Sequence, residues 1–89
     1  MRVFNKVTEQ NLATGKVKYT HIKLSGVVEK VKKEADGDIH IKVGRIICEI
    51  IPELPLKPPV KGQNATLWGI SRYDAEHKWW EIHPVLGWK

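Results

Sequence analysis

The sequence predicts an all-β fold, a small five-stranded closed barrel preceded by a short N-terminal helix. Three observations predict it. Ile39, Ile41 and Val43 alternate with His40 and Lys42, the period of a strand with one face in a core. Asp36-Gly37 and Gly44-Arg45 supply tight turns between successive strand patterns, and Pro52, Pro55, Pro58 and Pro59 interrupt the pattern once, in mid-chain. The first strand pattern, residues 17–34, is long and broken by Gly26. A chain of 89 residues has few ways to defend exposed strand edges, and closing the sheet removes them.

The elements follow in order. Phe4, Val7 and Leu12 share one face at helical spacing, so residues 3–13 read as a short helix ended by Thr14-Gly15. Residues 1–16 are therefore expected to form an N-terminal extension, partly helical, with residues 17–89 as the barrel. In the first strand Thr20, Ile22 and Leu24 share a face; after Gly26 the apolar parity moves to Val27 and Val31, which predicts a bulge at the glycine. Ile39 to Val43 form the second strand. The third, Ile46 to Ile51, is apolar on both faces except at Glu49, and Cys48 lies within it as a small core residue. After the proline segment, a fourth strand runs from Ala65 to Arg72 with Gly69 as a bend. The fifth runs from Lys78 to Leu86, with Trp80, Ile82, Pro84 and Leu86 inward and Trp79, Glu81, His83 and Val85 outward. The long bent first strand and the break between strands three and four point to a small closed barrel, expected to be of the OB type, with an SH3-like barrel as the closest rival.

Composition narrows the function. A single Cys excludes an internal disulfide framework and a cysteine-rich metal site. No apolar run approaches the roughly 20 residues of a membrane span, and no apolar leader follows Arg2, so an intracellular, cytoplasmic location is the default. Charge is uneven: residues 1–33 balance to +6, residues 34–60 to −2 and residues 61–89 to +1. A basic lobe beside an acidic middle steers polyanions to one side, although Lys-rich solubilisation produces the same statistic. No Gly-rich phosphate loop is present, and Asp36-Gly37-Asp38 is only a fragment of a calcium loop. No cofactor is expected.

Three of the four His fall in two segments, Asp36-Gly37-Asp38-Ile39-His40 and Asp74-Ala75-Glu76-His77 continuing to Glu81-Ile82-His83-Pro84. Three readings fit them. In the first, Asp36, Asp38, His40, Glu49, Arg72, His77, Glu81 and His83 form a buried or partly buried polar network that fixes strand register. In the second, His40 and His83 bind a metal with a carboxylate, with His77 as a further ligand. In the third, the same groups recognise a ligand beside exposed tryptophans. An enzyme of this kind would be a metal-assisted phosphodiester hydrolase, with Asp74, Glu81 or His83 as the base.

The chain resembles OB-fold domains of the nucleic-acid-binding type. It is also similar to a group of small, poorly characterised proteins carrying DGDxH and EIHPV segments. Those segments are Asp36-Gly37-Asp38-Ile39-His40 and Glu81-Ile82-His83-Pro84-Val85 in this sequence. The OB resemblance implies oligonucleotide binding on the face of strands two and three and the bordering loops. On that basis Lys42, Arg45, Tyr73, Lys78 and Trp79 are the expected contacts, with single-stranded DNA or RNA as partner. Noncatalytic binding is the first expectation, the hydrolase the alternative, and a structural or protein-interaction domain a third. No membrane partner is expected.

Overall fold

A computed structural model describes residues 2–89. Strand β1 is the two-residue Asn5–Lys6, followed by helix α1 (Glu9–Ala13). The barrel strands are β2 (His21–Lys33), β3 (Ile39–Val43), β4 (Ile46–Ile50), β5 (Asn64–Asp74) and β6 (Trp79–Trp88). They are ordered β2-β3-β4-β6-β5, and β5 pairs back onto β2, so the sheet closes. Within the barrel only β4 and β6 run parallel. This is the expected five-stranded OB-type barrel with a short N-terminal helix.

The closure depends on β2. Its first half, His21 to Val27, pairs with β5, and its second half, from Val28, pairs with β3. The inward row runs through Ile22, Leu24, Gly26 and Val28 without a break. The expected slip at Gly26 is therefore corrected: the register shift lies between Val28 and Lys30, and Val27 is left 49% exposed. Gly26 has a different task. A Cβ there would lie 2.6 Å from Val43 Cγ1, so glycine lets the strand cross close over β3.

The helix is shorter than the apolar spacing implies. Asn5 and Lys6 pair in parallel with Ile22 and Lys23, and Val7 N–H donates to the Lys23 carbonyl at 3.0 Å. Residues 5–7 are thus extended, as the β-branched Val3, Val7 and Thr8 favour. Thr8 is the N-cap and accepts from the Asn11 N–H at 3.1 Å. Phe4 lies outside the helix, packing edge-on against His21 and tilted against Trp68. Leu12 is fully buried and belongs to the same core as the barrel strands.

That core comprises Ile22, Leu24, Val28, Ile41, Val43, Ile46, Cys48, Ile50, Leu67, Ile82 and Val85, with Leu12 and Val7 at the helix end. Each large aliphatic contributes roughly 1.5–3 kcal/mol by leaving water. Trp80 and Trp88 pack against its edge. The inward row of β6 changes at Pro84: Val85 is fully buried and Leu86 is 39% exposed, the reverse of simple alternation. Ser71 faces Ile82, while Gly69 faces Val85, so the β6 side carries an extra residue. Proline has no N–H for the ladder and sits where the pairing breaks.

Gly69 makes this irregularity possible. A Cβ there would run into the Pro84 carbonyl oxygen and approach Ile82 Cγ2 to 2.8 Å. Gly69→Ala is therefore expected to lower unfolding stability by about 1–3 kcal/mol, as overpacking does. Urea denaturation checks this, and an unchanged midpoint would contradict the packing described.

Candidate functional site

Alternation along β4 sets the site. Cys48 and Ile50 face the core, so Glu49 faces out. On one side Glu49 is directly opposite His40 of β3. On the other, β6 runs parallel with Ile47 opposite Glu81 and Cys48 opposite Ile82, bringing His83 beside Glu49. Arg72 of β5 faces Glu81, and Lys32 of β2 faces His40. One polar row thus crosses every strand of the barrel.

Its centre is dry. Glu49 is 7% and Glu81 2% exposed, although both lie outside the barrel interior. Glu81 was expected on an open outer surface; covering by its neighbours makes it one of two buried charged side chains among the described residues. The Trp79 indole N–H donates to Glu81 Oε2 at 3.1 Å. The Trp79 ring is itself stacked on His77, with centroids 4.5 Å apart.

Glu49 reaches both ways. Its Oε1 is 2.9 Å from His40 Nε2, and its Oε2 is 3.1 Å from His83 Nδ1. Glu81 Oε1 lies 3.3 Å from the same His83 nitrogen, and Arg72 Nη1 lies 3.2 Å from it. One ring nitrogen cannot satisfy all three neighbours, because it either donates to a carboxylate or accepts from the guanidinium. Beyond His40, Glu34 Oε1 lies 3.5 Å from Nδ1, and Asp38 completes a second group with His40 and Glu49.

The electrostatics are those of a site short of positive charge. Burial holds the Glu49 carboxyl above its ordinary pKa, reinforced by the hydrogen bond to Glu81 and by that neighbour's charge; His83 and His40 pull the other way. Two adjacent buried carboxylates resist ionising together, and a shared proton or a cation relieves them. Burial likewise raises the Cys48 thiol pKa, leaving it an inert core group.

The donor set suits a cation. Glu49, Glu81 and His83 each offer a ligand atom within 4.8 Å of the others, as do Asp38, His40 and Glu49. Ligands about 2.0–2.1 Å from a tetrahedral zinc lie about 3.3 Å apart, close to the 3.1 and 3.3 Å found around His83.

The other sequence candidates fall elsewhere. Asp36 caps its own turn, accepting from the Asp38 N–H at 3.0 Å. Asp74 accepts from the backbone of Glu76 and His77 and pairs with His77 Nδ1 at 2.8 Å, in the β5–β6 hairpin. The residues expected to contact nucleic acid are spread over three places. Lys42 shares a groove with Lys30, Lys32 and His40. Arg45 pairs with Glu9 at 2.9 Å. Tyr73, Lys78 and Trp79 belong to the hairpin, where Tyr73 leans on Trp80.

Glu34 was absent from the sequence candidates. The hairpin register held the signal for Glu34, since the Asp36-Gly37 turn sets it opposite Asp38 and its N–H donates to the Asp38 carbonyl at 2.7 Å. No known family model matches the chain, and no curated protein is significantly similar to it.

The hairpin pair gives a pH prediction. The hydrogen bond to His77 lowers the Asp74 pKa, and the one to Asp74 raises that of His77. The Asp74 contribution is present above its unfolded pKa and lost as pH falls through the depressed folded value. The His77 contribution is complete below its unfolded value and lost as pH rises through the raised one. The stability difference between wild type and His77→Ala should therefore be largest between about pH 4 and pH 6.5 and shrink on both sides. A difference that grows above pH 8 would contradict the pairing.

Proposed function

We propose that the protein is a metal-assisted phosphodiester hydrolase, with Glu49, Glu81 and His83 as ligands to a divalent cation. The observation that carries this reading is the convergence of these three side chains from two strands onto one dry point. A mixed nitrogen and oxygen donor set suits zinc, manganese or iron(II) better than calcium. The cation supplies the positive charge that the adjoining carboxylates lack.

The surroundings support a phosphate-bearing substrate. His40 borders both the acidic cluster and the groove of Lys30, Lys32 and Lys42, so phosphate oxygens held by the lysines lie next to the ligands. Arg72, on the opposite side, offers a guanidinium for the charge that develops during transfer. Held by Glu49, Glu81 and His83, the cation would supply a more acidic water as nucleophile and positive charge for the phosphate oxygens. Hydrolysis of the diester adds the oxygen of one water to phosphorus and releases the leaving oxygen, with that water's proton, as an alcohol, giving a monoester.

The OB-type barrel and the lysine groove also favour noncatalytic binding of single-stranded nucleic acid on the same face. Turnover separates the two readings. With manganese or zinc present, wild type should cleave bis(p-nitrophenyl) phosphate and short single-stranded oligonucleotides, and chelation should abolish this. Glu81→Gln, folded by circular dichroism, should lose at least ~100-fold in kcat/KM, because cation stabilisation amounts to several kcal/mol. Lys30→Ala with Lys42→Ala should raise KM for oligonucleotides and leave kcat for the small substrate near wild type. Salt-sensitive oligonucleotide binding without metal-dependent turnover would reject hydrolysis and leave the binding reading.

A further inference from the structure

We propose that the site holds two divalent cations bridged by the carboxylate of Glu49, the second bound by Asp38, His40 and Glu49. The inference rests on the preceding reading of Glu49, Glu81 and His83 as the first cation's ligands, and it adds a metal site to that reading.

Four observations lead to it. The two oxygens of Glu49 are directed apart, Oε1 to His40 Nε2 at 2.9 Å and Oε2 to His83 Nδ1 at 3.1 Å. A carboxylate so placed serves a different cation with each oxygen. The second triad is complete in itself, since Asp38, His40 and Glu49 present ligand atoms within 4.8 Å of one another. His40 carries an outer carboxylate, Glu34 Oε1, 3.5 Å from Nδ1. Metal-ligating histidines are typically backed in this way, with the outer acid fixing the tautomer that leaves Nε2 free to ligate. Finally, the second triad faces an open groove of about 500 Å³ lined by Glu34, Ala35, Asp36, Asp38, His40 and Glu49. Water or a phosphate oxygen therefore has room to complete its coordination.

Each triad brings carboxylates of its own, Glu81 to the inner one and Asp38 to the outer one, with Glu49 common to both. One cation would leave the outer half to Lys32, whose Nζ is 3.7 Å from Glu34 on an exposed side chain. Two cations about 3.5–4 Å apart clamp both the attacking and the leaving oxygens of an in-line displacement. That geometry matches a phosphodiester substrate entering from the lysine groove.

The test uses the full chain, cleared with a chelator and titrated with zinc chloride and, separately, manganese chloride. Calorimetry and metal analysis after gel filtration should give two equivalents per chain. Asp38→Asn should reduce this to one, and His77→Ala, in the separate hairpin pair, should leave it at two. The manganese form of wild type should show a spin-coupled electron paramagnetic resonance spectrum, replaced in Asp38→Asn by that of an isolated ion. One equivalent in wild type, unchanged by Asp38→Asn, would overturn the bridged pair while leaving the inner site intact. Two equivalents without coupling would overturn the bridge as well, and none would overturn both readings.

Discussion

Glu49 is the side chain on which the rest of the site depends. Strand β4 places Cys48 and Ile50 in the core, and that alternation turns Glu49 onto the outer face. Its strand is the third in a closed order of five, flanked by β3 and β6, so the carboxylate is covered from both sides and is 7% exposed. A carboxylate removed from water must be met by hydrogen-bond donors or opposite charge. His40 and His83 meet it, one on each oxygen, and every buried side-chain nitrogen or oxygen among the described residues has a partner. The barrel and the cluster are thus one arrangement: register delivers the partners, and the partners penalise any slip of register.

The same constraint brings the acidic side chains together. Glu81 joins Glu49 because β6 runs parallel to β4, which offsets the facing residues and brings two acids to one histidine. Among the described residues Arg72 brings a permanent positive charge to His83 Nδ1, at 3.2 Å, and its side chain belongs to an exposed residue. The histidines carry charge only when protonated. The inner cluster is therefore a donor set assembled by strand register, with two carboxylates and one imidazole within 4.8 Å of one another.

Much of the fold was legible because it rests on local periodicity. Ile39, Ile41 and Val43 alternate cleanly, Asp36-Gly37 and Gly44-Arg45 are turns, and the four prolines mark the break between β4 and β5. Three features escaped because they depend on nonlocal contact. Gly26 resembles a bulge in sequence, but Val43 on the neighbouring strand β3 is what requires a residue without Cβ. Phe4, Val7 and Leu12 have helical spacing, yet pairing of Asn5–Lys6 with β2 holds the first part extended. At Pro84 the inward position passes from Leu86 to Val85, a change set by the opposing Gly69.

The site was legible as a set of residue types more than as a geometry. His40, Glu49, Arg72, Glu81 and His83 were all candidates, and they do come together. Asp36, Asp74 and His77, equally suggestive in sequence, serve turns and the hairpin instead. Only strand order separates the two groups, since it makes Glu49 a neighbour of both His40 and His83. Glu81 is buried, as the network reading of these residues has it, and accepts from the Trp79 indole N–H. The central claim, that His40 and His83 converge on Glu49 to receive a cation, is tested most directly by long-range ¹H–¹⁵N NMR of the imidazoles during zinc titration. His83 Nδ1 and His40 Nε2 should move to metal-bound shifts while His21 and His77 stay unchanged. Response confined to His21 or His77, with the other two rings unmoved at saturating zinc, would contradict it.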